Sequence, residues 1–151
     1  MKYWLMKSEP SDYSIDDLER DGSIDWYGIR NYQARNFMRD DMQIGDLAFF
    51  YHSNCKEPGI VGIMKVSKLA YPDKLQFIEG HKYHDPKSDP KNPRWVNVDV
   101  AFVKKIPLVS LNELRQHQQL ETLRILQRGN RLSITPLTED EWNYINQINI
   151  I

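Results

Sequence analysis

The chain has 151 residues, 40% of them hydrophobic and 27% charged, a globular profile long enough for one substantial core. Its formal net charge is −1 and it has a single cysteine, Cys55, which excludes an internal disulfide, a four-cysteine zinc site and the broad basic surface of a protein that grips many phosphates. No run approaches the roughly 20 apolar residues that cross a bilayer. The opening MKYWLMKSEP, charged again at Lys7, lacks a signal-peptide core, so the expected setting is cytoplasmic, with no membrane partner.

Residues 2–6 read as a strand. Ser14-Ile15-Asp16-Asp17 has the form of a capping box, with an acid three residues after the cap, and Gly22 stops the short helix that follows. Asn31 can cap a second helix that buries Ala34, Phe37 and Met38. Gly45-Asp46 turns into the apolar run Leu47–Tyr51, which predicts a buried strand, and Pro58-Gly59 turns into another over 60–66. Residues 75–78 read as a short edge strand. Residues 80–94 form a loop with three prolines, long enough to imply a role of its own. Val96, Val98, Val100 and Phe102 alternate with less apolar residues, the period of a half-buried strand.

Ser110-Leu111-Asn112-Glu113 is a second capping box and opens a helix or helix pair burying Leu111, Leu114, Leu123 and Leu126, ended by Gly129. Leu132–Thr135 reads as a strand. Thr138-Glu139-Asp140-Glu141 is a third capping box, before a helix with Trp142, Ile145 and Ile148 on one face. No linker or internal repeat interrupts residues 1–151, so a single domain is expected. The strands do not alternate regularly with helices, which argues against a doubly wound parallel sheet. The expected class is α+β: a mostly antiparallel, curled sheet or small barrel surrounded by short helices.

The charges are uneven. Residues 1–25 carry seven acids against three bases, whereas 30–39 carry Arg30, Arg35 and Arg39. The densest polar and aromatic cluster is Trp26-Tyr27-Gly28-Ile29-Arg30-Asn31-Tyr32-Gln33-Ala34-Arg35-Asn36, in a loop entering a helix. Trp26 offers a flat π-face for stacking a base. Asn31 and Gln33 carry the donor and acceptor groups that read base edges, and Arg30 and Arg35 are fixed cations suited to phosphate. Taken singly, Trp26 is better read as a core residue and Asn31 as a helix cap; the cluster as a whole points to binding. Tyr51, His52 and Ser53 at one strand end, and Lys7 and Ser8 at another, are the further candidates to line a cleft.

His52-x-x-Cys55 and His81-x-x-His84 lack a second ligand pair at zinc spacing, so no metal and no cofactor is expected. Cys55 or Ser53 as a nucleophile needs a base and an orienting group, and adjacent strand residues such as His52 and Ser53 diverge.

Six stretches carry a family resemblance: Trp4–Pro10 (WLMKSEP), Trp26–Asn36 (WYGIRNYQARN), Gly45–Ser53 (GDLAFFYHS), Pro58–Gly62 (PGIVG), Pro93–Trp95 (PRW) and Arg131–Pro136 (RLSITP). In order, and over almost the whole chain, they resemble the EVE domain family. The resemblance implies a PUA-like pseudobarrel, related to ASCH and YTH domains, and a modified base such as a modified cytosine, in RNA or DNA, as partner. YTH domains similarly place a Lys-Ser at the end of their first strand and a tryptophan after the next helix, where Lys7-Ser8 and Trp26 stand here.

The resulting expectation is a binding module and not an enzyme. Trp26, Asn31, Ser8, Ser53, Tyr51, His52 and Gln33 form the base pocket, and Arg30, Arg35, Lys7 and Arg131 make phosphate or polar contacts. The alternative is a small hydrolase of a modified nucleoside or RNA, as in some ASCH relatives, with Glu9, His52 and Lys7 as its candidate acid or base groups. A protein-interaction role with a vestigial pocket is a third reading.

Overall fold

The computed structural model describes residues 1–148. Six strands form one curled, unclosed sheet: β1 (Tyr3–Ser8), β2 (Ser23–Asp25), β3 (Leu47–His52), β4 (Gly59–Pro72), β5 (Val96–Ser110) and β6 (Ile134–Leu137), in the order β2-β5-β4-β3-β1-β6. The β1–β3 pair is parallel, Tyr3 opposite Leu47 through Ser8 opposite His52; the other neighbours are antiparallel. The helices are short: α1 (Ile15–Asp21), α2 (Tyr32–Asn36), α3 (Leu111–Arg115) and α4 (Glu139–Ile148). The expected mixed, mostly antiparallel architecture is what forms.

Each capping signal is realised. The Ser14 side chain accepts from Asp17 N while Asp17 accepts from Ser14 N. Ser110 accepts from Glu113 N, and Thr138 and Glu141 cap each other reciprocally. Gly22 ends α1 at φ 81°, a left-handed conformation that glycine adopts without steric cost.

Strand β3 separates two apolar cores. Side chains alternate along a strand, so Ala48 and Phe50 enter one core with Trp4, Met6, Leu18, Trp26 and Met38, under α1 and α2. Phe49 and Tyr51 enter the other with Leu5, Leu114, Leu123 and Trp142, under α3 and α4. With both faces covered, β3 reads as a continuous apolar run.

Several elements differ from expectation. Residues 74–77 form a 3₁₀ turn instead of an edge strand, because Asp73 accepts from Leu75 N and the Gln76 amide donates inward to the carbonyls of Asp73 and Trp95. Strands β4 and β5 run well past the expected 66 and 103, extending their hairpin at both ends through several irregularities in register. The helix expected after Ser110 stops at Arg115; Leu120 is instead buried at the end of one 3₁₀ turn and Leu123 just before a second. Beyond α2, Phe37–Asp41 makes one π-turn, closed by Met42 N–H to the Phe37 carbonyl at 2.9 Å. Strand β2 was not foreseen: its three residues, Ser-Ile-Asp, are too few to show a period.

Candidate nucleic-acid interface

A half-open cavity of about 270 Å³ lies beyond the ends of the parallel strands β1 and β3. That is near the lower end of the roughly 300–1,000 Å³ typical of ligand pockets. Two backbone hydrogen bonds hold its floor: Ser53 N to Ser8 O at 3.0 Å and Lys7 N to Ser133 O at 2.8 Å. These bring Lys7, Ser8, Ser53, Arg131 and Ser133 to one wall. Burial lowers the pKa of the Lys7 ammonium.

The opposite wall is the segment from Ile24 to Ile29. Trp26 is held by its backbone N–H to Val98 O at 2.8 Å, and its ring is braced edge-on by Phe50, with centroids 5.4 Å apart. It lines the cavity yet is only 6% exposed and belongs to the core. The core and ligand readings of this residue thus describe two sides of one ring.

Tyr83, from the three-proline loop, closes a third side. Two contacts set it against the Trp26 segment. Gly28, at φ 81°, lies so close that an added Cβ would be 2.7 Å from the Tyr83 ring. Arg30 donates to the Tyr83 carbonyl from Nε and Nη2 at 3.0 and 2.8 Å. Asp73, 1% exposed, is the anchor beneath them. It accepts from Gly28 N at 2.8 Å, from Arg30 Nη1 at 3.1 Å and from Leu75 N at 2.9 Å.

Of the residues expected at the pocket, Trp26, Ser8, Ser53, Lys7 and Arg131 are brought together on its walls. The others stand elsewhere, each for a local reason. Arg30 is spent in the Asp73 and Tyr83 contacts, not free for phosphate. Arg35 donates to Asn36 and to the Arg94 carbonyl and lies over the Tyr32 ring at 4.7 Å. Asn31 caps α2 by accepting from Ala34 N at 3.0 Å, and Gln33 is on the exposed side of that helix. Tyr51 points into the core on the far face of β3. His52 Nε2 accepts from Ile15 N at 3.1 Å, holding the start of α1. Burial lowers the pKa of His52, opposed by the Asp16 charge.

Sequence reasoning missed Tyr13, Asp25, Tyr83 and Ser133 as lining residues. Asp25 adjoins Trp26 and was within reach of the cluster argument. Tyr83 had only the length of its loop to recommend it. Among the described residues no group of three or more His, Cys, Asp or Glu side chains is placed to hold a metal ion.

A curled sheet with an aromatic and polar cavity at the end of its parallel pair defines a PUA-like domain. The chain belongs to the EVE domain family, whose profile matches residues 2–148. It is 45% identical to human thymocyte nuclear protein 1 over 162 residues, covering 95% of this chain and 72% of the relative. A Pseudomonas syringae crystal structure superposes with a TM-score of 0.94 at 47% identity, over 97% of this chain and 99% of that one. The human THYN1 protein in complex with 5-methylcytosine-containing DNA superposes with a TM-score of 0.92 at 43% identity, over 99% and 98% of the two chains. A Zymomonas mobilis ASCH protein, 10% identical with a TM-score of 0.53, shares the fold alone. The vertebrate relatives bear a nuclear name, and the human one is seen on DNA. Both findings point away from the cytoplasmic location expected from composition and overturn it.

Proposed function

We propose that this chain is a non-catalytic reader of a modified cytosine-type base in DNA or RNA, held in the cavity between Trp26 and the Lys7–Ser8 strand end. The observation that carries this reading is the Trp26 ring, braced by Phe50 on the wall of a cavity of about 270 Å³. The DNA complex of the 43% identical human protein supports it. A duplex base must leave its stack to enter, at a few kcal/mol. A snug pocket recovers part of that by burying a methyl group, at about 0.8 kcal/mol. Ser8 donates its hydroxyl to Tyr13 O at 2.6 Å, so its part is to shape the wall, while Ser53, Lys7 and Arg131 offer donors to the base or its phosphate. Binding rather than turnover fits a His52 whose Nε2 is already engaged by the backbone of α1.

The test is fluorescence anisotropy with matched single-stranded oligonucleotides, DNA and RNA, carrying one cytosine or one 5-methylcytosine. The expected result is tighter binding of the modified strand. Equal affinity for both, or none for either, overturns the reading.

A further inference from the structure

Three acids line the cavity: Glu9, Asp12 and Asp25. Glu9 accepts from Asn54 Nδ2 at 3.1 Å, and Asp12 faces Lys82 at 3.8 Å. The Asp25 carboxylate has no hydrogen-bonding side-chain partner and no ion pair among the described residues, although it is half-buried. Its place is fixed from both sides. Asp25 is the last residue of β2, in register with Asp99 of β5, and its carbonyl accepts from Tyr27 N at 2.9 Å. The next residue is Trp26, the stacking wall. Asp25 and Trp26 both border the one cavity, so a ring held against Trp26 shares that space with the Asp25 carboxylate.

Resting on the function proposed above, we infer that Asp25 is the specificity-determining residue of the pocket, accepting an N–H from the exocyclic amine of the bound base and so selecting a 4-amino pyrimidine over a 4-oxo one. The chemistry is one-sided. Cytosine presents an N4 amine, a donor that Asp or Glu accepts; thymine presents O4 at the same place, an acceptor. Two facing acceptors with no proton between them repel, and both lose the water that satisfied them. The 2-oxo group is common to both bases, so a donor that meets it does not tell them apart. Burial raises the Asp25 pKa and the charges of Asp99 and Asp73 add to this, against the lowering by its own backbone N–H and by Lys74; an N–H from a bound base would favour the charged form further.

5-Methylcytosine and thymine isolate this contact, since they share the 5-methyl and 2-oxo groups and differ only along the N3–C4 edge. Single-stranded DNA bearing one or the other is titrated into the parent, Asp25→Asn and Asp25→Ser, with far-UV circular dichroism of each variant as the folding control. The parent is expected to prefer 5-methylcytosine by about tenfold or more. In Asp25→Asn, whose amide turns to donate to O4, the preference falls to about onefold or inverts, and in Asp25→Ser it shrinks with loss of 5-methylcytosine affinity. A parent that prefers 5-methylcytosine to cytosine yet does not distinguish it from thymine overturns the role of Asp25 alone. So do folded variants that keep the parental ratio. A parent that binds none of the strands overturns the pocket reading itself.

Discussion

Arg30 grips the carbonyl of Tyr83, 53 residues away in sequence, through two guanidinium nitrogens. A third nitrogen reaches Asp73, so one side chain ties the stacking segment, the turn after β4 and the three-proline loop together. Hydrogen bonds involving a charged group are each worth about 1.5–3 kcal/mol when their partner is left buried. Arg30→Ala should therefore lower stability by about 2–4 kcal/mol in urea unfolding. Because all three guanidinium nitrogens of Arg30 are engaged within the protein, the salt dependence of the residual DNA affinity should not change. A flatter salt dependence would return Arg30 to the nucleic-acid surface.

Gly28→Ala tests the same wall more finely. Its φ of 81° disfavours a side chain, and the new Cβ meets the Tyr83 ring. A cost of about 1 kcal/mol or more is expected from the backbone alone. The displaced Tyr83 should weaken base binding beyond that fold cost, measured by titration at a temperature where the variant is fully folded.

Trp26→Ala is expected to destabilise by about 3–5 kcal/mol, the usual cost of emptying an aromatic core site, because Trp26 packs with Phe50 and is almost wholly covered. Trp26→Leu keeps apolar volume while removing the π-face. It should retain the native circular dichroism spectrum and lose about 1–3 kcal/mol of base affinity. An unchanged affinity in folded Trp26→Leu would leave Trp26 as a core residue only.

The pH dependence of stability should carry a His52 component. Nε2 accepts from Ile15 N, so the neutral ring is the folded form, and burial sets its pKa below the usual 6.5. The unfolded chain then takes up the proton first as the pH drops. Stability is full above about 6.5 and is lost as the pH falls through that value toward the lower folded pKa. His52→Gln, which retains an acceptor but does not titrate, should show a smaller fall in Tm between pH 8 and pH 5.5 than the parent does.

Salt dependence should be shallow. With Lys7 and Arg131 as the cavity's cations, and about 0.7 for each phosphate on a single strand, the slope of log affinity against log salt should be roughly −1.4. Arg131→Gln should flatten it by about 0.7. Arg35→Gln should leave it unchanged, since Arg35 is held by Asn36 and the Arg94 carbonyl. A parent slope near −6 would mean that extended electrostatics, and not a pocket, drive association.

What was legible in the sequence is what is local. The three N-caps require only residues three apart, and all three form; the box is reciprocal at Ser14 and Thr138, whereas at Ser110 only the serine side chain caps. The run Leu47–Tyr51 announces a strand covered on both faces, and the strand-end residues Lys7, Ser8 and Ser53 border a cavity. What was not legible depends on pairs distant in the chain. Arg30 looks like a free cation until Asp73 and Tyr83 are seen beside it. Asn31 alone reads as a cap and only within its cluster as a base reader, and its hydrogen bond from Ala34 N makes it a cap. Tyr51 and His52 were grouped with Ser53 by adjacency, but strand parity sends Tyr51 to the far core, while the His52 ring is drawn to α1.

The double-sided burial of β3 also bears on how members of such a family diverge. A polar replacement at Ala48, Phe49, Phe50 or Tyr51 meets a core whichever way it points, and a one-residue slip exchanges the two cores wholesale. Selection for a new ligand is thereby turned away from the strand and onto its rim: the residues after β1 and β3, the Asp25–Ile29 segment and the loop bearing Tyr83. These border the cavity without filling either core, Trp26 and Ile29 excepted, so a lineage can retool its chemistry there while its scaffold stays the same.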